Sequence, residues 1–340
     1  MSGNHARTTN HQHKEKDTIQ SPLPQPQQMQ PLTSATGGII FFFHGPKTGG
    51  TTIRDNFQNA QNFPMIDFTG VYVSRQWKRV QKQVQEKLQV SPNSSTNKTI
   101  LFVEIHNRQR PSWMMDIAPR VQQWKHEAKE QGIPFYAFTL LRDPVDLAIS
   151  YFNYFHVLGG IFGDERMLPQ VNGTVESFRQ VVLHEPSSSL SPPSSTSNQQ
   201  HFNPQCLYFL KGELVETTRP TARDCQRVQQ SLHETMDWIG DTKTMSHDTL
   251  PLLLYLITGQ RQQDRSTHKQ QQQQLKTSNQ SKKRQHVRGK DTVVLLSRNA
   301  INEETMDLLQ HKTQWDQHYL YQPLLTPPAY FDIAYHESTS

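Results

Sequence analysis

The chain has 340 residues, a formal net charge of +5 and only 34% hydrophobic residues. That length admits one large domain or two small ones, and the mild basicity suits an anionic nucleotide or glycan without selecting either. No apolar run reaches membrane-spanning length, the N-terminus lacks a basic-then-apolar signal pattern, and two cysteines with no CxxC or Cys/His ligand spacing argue against a metal site.

Residues 1–36 are rich in His, Gln and Pro and read as a disordered polar tail. Ile39 to Phe43 form an apolar run that reads as a short buried strand. A turn follows, and a helix is expected from Thr51 to Asn59, with Ile53 and Phe57 on one face. Trp77–Val90 predicts a second helix, with Val80, Val84 and Leu88 in register four apart. Thr99–Ile105 is strongly β-forming and ends at His106, Met115–Gln131 looks helical, and Phe135–Leu141 predicts a third strand. That strand runs into Arg142, Asp143 and Pro144, where Asp143 can cap a helix and Pro144 suits its first turn. Helices are expected at 201–210, 222–235 and 250–258, and one or two more within 295–321.

Two segments, 186–200 (Ser, Pro, Asn, Gln) and 260–290 (Gln-rich and basic), read as low-complexity insertions in a single domain over 37–335. The dense basic run Lys282–Lys290 is either a solvated linker or a contact to an acidic polysaccharide, with no aromatic interleaving to suggest nucleic acid. Cys206 and Cys225 either form one disulfide or stay as two buried thiols. Asn93, Asn97, Asn172 and Asn279 head N-x-S/T sequons, a weak sign of secretion in a chain this rich in Asn, Ser and Thr. Strands alternating with helices imply parallel βαβ units, whose ligands sit at the C-terminal strand ends. His44, His106 and Arg142 each follow such an end and should converge on one rim.

The stretch FFFHGPKTGGTTIRDNF, Phe41 to Phe57, carries the strongest chemical signal. A strand, a glycine turn and a helix N-terminus together make an anion site, because backbone N–H groups and the helix dipole both point at bound phosphate. Gly45 and Gly50 satisfy the G-x-x-x-x-G part of a phosphate loop, but Thr51 stands where an NTPase places its lysine. The lysine is Lys47, inside the loop. This arrangement resembles the PKTGGTT loop of sulfotransferases that use 3′-phosphoadenylyl sulfate (PAPS), especially the Golgi carbohydrate enzymes of the heparan sulfate 2-O/6-O type.

The resemblance implies a P-loop NTPase-like three-layer α/β fold, a central parallel sheet flanked by helices. It implies that Lys47, Thr48, Gly49, Gly50, Thr51 and Thr52 cradle the 5′-phosphosulfate. LLRDPVDLAISYF, Leu140 to Phe152, looks like the family's 3′-phosphate motif, with Arg142 and Ser150 as ligands. Arg offers phosphate a rigid, always-charged fork, and a hydroxyl two helical turns on can face the same way. In VEIHNR, Val103 to Arg108, His106 matches the family's general base, a histidine suited to deprotonating an alcohol near neutral pH. Glu104 is the runner-up, and Arg108 or Arg110 would help an anionic acceptor.

Fainter likenesses lie in FNPQCLYFL, MDWIGDT and the segment 296–321, so the resemblance covers about 38–185 and 200–335. The chain departs from the family pattern at Gly45 before Pro46, in the 260–290 insertion and in the lack of a visible membrane anchor. The implied function is transfer of a sulfuryl group from PAPS to a hydroxyl, most readily on a carbohydrate. It leaves 3′-phosphoadenosine 5′-phosphate as product, needs no metal and no nucleic acid, and takes place in the Golgi. Two alternatives are a P-loop kinase or NTPase with Glu104 as the metal-side carboxylate, and an inactive nucleotide- or glycan-binding protein of the same fold.

Overall fold

The computed structural model describes residues 29–32, 37–58, 63–89, 98–106, 111–162, 165–166, 171–183, 204–211, 220–259 and 294–325. Five strands form a parallel sheet: β1 (Gly38–Phe43), β2 (Ile66–Val71), β3 (Ile100–Ile105), β4 (Phe135–Leu141) and β5 (Trp238–Asp241), in the order β2-β3-β1-β4-β5. All four pairings are parallel, as the strand–helix alternation implies. β1 and β3 are buried along their whole length because helices cover both faces, which is why β1 reads as an unbroken apolar run and β3 as one broken only by Glu104.

Alternate residues divide the core. Ile39, Phe41, Phe43, Val103, Ile105 and Ala137 pack under α2 (Trp77–Gln89), α3 (Ala118–Glu130), α6 (Pro204–Leu210) and α7 (Ala222–Thr235). Ile40, Phe42, Phe102, Phe138 and Trp238 face α1 (Gly50–Phe57) and α8 (Thr249–Thr258). Phe42 and Phe138 stack at 4.6 Å between centroids, a contact worth roughly 0.5–1.5 kcal/mol beyond its buried area. A third apolar cluster joins α4 (Pro144–Phe152), α5 (Val175–Val182) and α9 (Glu303–Lys312). Among the described residues no helix is long and apolar enough to cross a membrane.

Several elements differ from the sequence reading. The tail assigned to 1–36 is not wholly free: Leu32 is fully buried, its N–H bonds to Leu256, and the Gln30 N–H bonds to the Tyr136 hydroxyl at 2.8 Å. One apolar residue among polar ones gives no periodic signal, so the tail's docking is invisible before the sheet is assembled. β2 was not expected, since Asp67, Thr69 and Gly70 interrupt its apolar pattern. It lies at a sheet edge, where full burial is not required. α5 was likewise missed; Thr174 caps it by accepting from the Ser177 N–H, and Phe178 and Val182 form its buried stripe. The helix expected from Met115 begins as a π-helical turn over Trp113–Ile117, and α4 ends in another, Asn153–Val157. Segments 186–200 and 260–290, with Lys282–Lys290, lie outside the described residues, as do Asn93, Asn97, Asn279, Arg108 and Arg110.

The two cysteines are joined. The Cys206–Cys225 disulfide ties α6 to α7 across a sequence separation of 19. α6 is further fixed at its start by Asp316, fully buried, whose two oxygens accept from the Gln205 and Cys206 N–H groups at 2.8 Å each. Closing a loop of this size removes unfolded-state entropy, so reduction should lower stability by about 3 kcal/mol. Denaturant unfolding with and without reductant measures this; an unchanged midpoint would mean that packing alone holds α6 on α7.

Candidate functional site

The site is built at the C-terminal ends of the strands. β1 stops at Phe43, and His44 to Gly49 turn the chain into α1. The Thr48 hydroxyl donates to the Gly45 carbonyl at 2.8 Å and closes this turn. Gly49 caps α1 in the left-handed region at φ 81°, and Lys47 also adopts a left-handed φ of 63°. A lysine held in that conformation is strained, and such residues concentrate where a side chain must be aimed. At the start of α1, the Thr52 N–H returns to the Gly49 carbonyl and the Gly50 N–H donates to His44 Nε2 at 3.1 Å. The Gly49 and Thr51 N–H groups have no partner among the described residues. The loop thus keeps only part of its N–H set for an anion: Gly50, expected to cradle phosphate, is turned inward.

Below the loop lies a buried carboxylate. Glu104, on β3, has no exposed surface and accepts four hydrogen bonds. His44 Nδ1 and Arg54 Nη2 donate to Oε1 at 2.7 and 3.0 Å, while Arg54 Nε and the Tyr72 hydroxyl donate to Oε2 at 2.9 and 2.7 Å. Four bonds fill the lone-pair sites of a carboxylate. Burial works to raise the Glu104 pKa, but the bonds from His44 and Arg54 outweigh it and hold the group down at about 2. For His44, burial dominates and pushes the imidazole below its ordinary value despite Glu104. Its tautomer follows from its partners: Nδ1 carries the proton toward Glu104, and Nε2 accepts from Gly50.

His106, just past β3, stacks on the His44 ring at 4.1 Å between centroids. Its Nδ1 lies 3.1 Å from the His44 carbonyl, which can only accept, so Nδ1 bears the proton and Nε2 is the basic nitrogen of the neutral ring. The same carbonyl accepts from the Tyr208 hydroxyl at 3.0 Å.

Beside the loop, Lys47, Arg142, Asp146, Ser150, Tyr154 and Arg298 line a cleft of about 360 Å³, with Leu158 and Leu295 at its rim. Arg142 Nη1 donates to the Lys47 carbonyl at 3.1 Å, joining residues 95 apart in sequence. Gln205 brackets the Arg142 backbone, accepting its N–H at 2.9 Å and donating to its carbonyl at 3.0 Å. Burial lowers the Arg142 pKa, opposed by Asp146 and Asp143 at longer range, and among the described residues no carboxylate forms an ion pair with its guanidinium. Lys47 Nζ lies 3.9 Å over the Tyr154 ring, an aromatic face that carries its charge at the cleft. On the far side, Arg298 pairs with Asp143 at 3.1 Å and Asp146 at 2.9 Å. Asp143 caps α4 through the Asp146 N–H, as the sequence suggested.

Of the residues singled out by sequence, the structure brings Lys47, Arg142 and Ser150 to one cleft. His106 and Glu104 sit on the adjoining strand end, Glu104 buried and His106 half-buried. Thr51 and Thr52 are exposed at the start of α1, and Thr48 is buried in the turn. Sequence reasoning did not single out Arg54, Tyr72, Tyr208 or Arg298, and Gln205 entered only within the faint likeness of FNPQCLYFL. Arg54 stood within the loop motif one helical turn past Gly50, but its partner is 50 residues away and no local pattern connects them. Among the described residues no group of three or more His, Cys, Asp or Glu is placed to hold a metal ion. No family model matches the sequence, and no curated protein matches it.

Two outcomes follow. A Cβ on Gly50 would fall 2.0 Å from the His44 ring, so Gly50→Ala must displace the imidazole and should lose about 1–3 kcal/mol by urea unfolding; a silent Gly50→Ala would contradict the packing. Glu104 is held below its unfolded value of 4.5, so its contribution is present above pH 4.5 and lost as pH falls toward about 2. That contribution is about 3 kcal/mol, seen as a steepened acid unfolding that Glu104→Gln removes.

Proposed function

We propose that the chain is a sulfotransferase that moves a sulfuryl group from PAPS to an acceptor hydroxyl, most readily on a carbohydrate, on a P-loop-like α/β scaffold. The observation that carries this reading is the cleft that Lys47, Arg142 and Ser150 share. It holds two cations about one loop, one of them a half-buried guanidinium with no paired carboxylate among the described residues. A half-buried guanidinium without a paired carboxylate is costly unless an anion completes it. A ligand with two separated anionic groups fits, and PAPS carries a phosphosulfate and a 3′-phosphate.

PAPS supplies an activated sulfuryl group: the acceptor oxygen bonds to sulfur while the bridging sulfur–oxygen bond to phosphate breaks, leaving 3′-phosphoadenosine 5′-phosphate. The protein's part is positioning and charge. Lys47 and the N–H groups of Gly49 and Thr51 stabilise the negative charge that grows on the leaving phosphate. Arg142 and Ser150 hold the 3′-phosphate and so distinguish PAPS from ATP. His106 takes the acceptor proton on Nε2, the nitrogen its bond to the His44 carbonyl leaves basic. Glu104, the other base considered, is closed by its four hydrogen bonds and has no lone pair left for a proton or a metal, which also weakens the kinase reading. The disulfide suits an oxidising compartment such as the Golgi lumen.

Transfer of labelled sulfate from PAPS to a panel of glycans, peptides and lipids tests the activity and names the acceptor class. His106→Ala should lower turnover by roughly 10²–10⁴-fold with the nucleotide still bound. Full turnover in that variant would remove His106 from the reaction, and no transfer to any acceptor alongside intact nucleotide binding would point to an inactive binding protein.

A further inference from the structure

We propose that Glu104 and His44 are positioning residues for this reaction: Glu104 holds the His44 imidazole, and His44 holds both the general base and the anion loop. The proposal rests on the sulfotransferase reading and extends it to residues that touch neither donor nor acceptor. Burying a carboxylate in a sheet costs several kcal/mol unless it is fully bonded, and Glu104 is bonded from three separate places. Those places are the turn after β1, helix α1 and the residue after β2. Gly70 leaves the space this needs, since a Cβ there would lie 2.6 Å from the Tyr72 hydroxyl oxygen.

The chain of contacts then runs outward. His44 Nδ1 donates to Glu104, so Nε2 must accept, and the Gly50 N–H is what it accepts. The His44 ring carries the stacked His106 ring, and the His44 carbonyl fixes the His106 Nδ1 proton. An imidazole turned over, or protonated on both nitrogens, would set an N–H against the Gly50 N–H. Turning the ring over would therefore break the Gly50 bond at the start of α1, and swinging it out of plane would also remove the surface on which His106 stacks. The charged and titratable groups facing His44 are Glu104 from β3, Arg54 from α1, Lys47 from its own loop and His106 from the end of β3, with Tyr208 on its carbonyl and Tyr72 behind Glu104.

The test pairs kinetics with nitrogen NMR of histidine-labelled protein, on wild type, Glu104→Gln and Tyr72→Phe. Wild-type His44 should be neutral and protonated on Nδ1 at pH 7. Glu104→Gln should lower kcat by about ten- to a hundredfold, change the donor KM far less, and shift the His106 nitrogen signals. Tyr72→Phe removes one of the four bonds to Glu104 and should shift the His44 and His106 nitrogen signals in the same direction as Glu104→Gln, with a smaller fall in kcat. If Glu104→Gln does not fold, the His44 tautomer and Tyr72→Phe still decide. A wild-type His44 protonated on Nε2, or a folded Glu104→Gln with normal kcat, overturns the proposal. Wild-type protein that binds no nucleotide and transfers nothing would sink the sulfotransferase reading instead, with the tautomer measurement still judging the network.

Discussion

A single carboxylate without exposed surface organises the end of the sheet. Glu104 takes hydrogen bonds from His44, Arg54 and Tyr72, and through them it sets the turn after β1, the direction of α1 and the close of β2. Its environment would expel a lone charge. The guanidinium fork of Arg54 and the neutral donors around it reverse that preference. The arrangement is consistent from sequence upward: two glycines, Gly50 and Gly70, stand where a Cβ would press into the side chains that reach Glu104.

What this rigid base presents is a second, more open arrangement of charge. Lys47 leaves the loop with a strained backbone, and Arg142 crosses from the end of β4 to bond its carbonyl. Gln205 brackets the Arg142 backbone, Asp316 fixes the N–H of Gln205, and the disulfide secures the helix that carries Gln205. The far wall is equally tied: Asn153 exchanges two hydrogen bonds with Leu296, at 2.8 and 2.9 Å, so the segment bearing Arg298 is docked on α4. Preformed cations on tethered elements lose little freedom when an anion arrives, which favours tight binding of a doubly anionic ligand.

The sequence revealed the parts of this structure that are buried on both faces or locally capped. β1, β3 and β4 read as largely apolar because helices cover both sheet faces, and the polar exceptions, Glu104 and Thr139, have their side-chain oxygens hydrogen-bonded. α4 and α2 announced themselves through Asp143 and a periodic apolar stripe. The edge strand β2 and the docked Leu32 were illegible, since their burial depends on partners distant in the chain. The same division holds at the site. Lys47 and Arg142 stood out because short motifs carry them. Arg54, Tyr72, Gln205 and Arg298 act through tertiary pairs that no spacing rule encodes, and the inward turn of the Gly50 N–H could not be foreseen without the His44 ring in place.

The most direct measurement is calorimetric binding of 3′-phosphoadenosine 5′-phosphate and adenosine 5′-phosphate to wild type and Arg142→Ala. The account expects the wild type to bind the bis-phosphate at least about tenfold more tightly, about 1.4 kcal/mol, and Arg142→Ala to erase that margin. Equal affinities in the wild type, or a margin that survives the loss of Arg142, would show that the cleft does not read a 3′-phosphate.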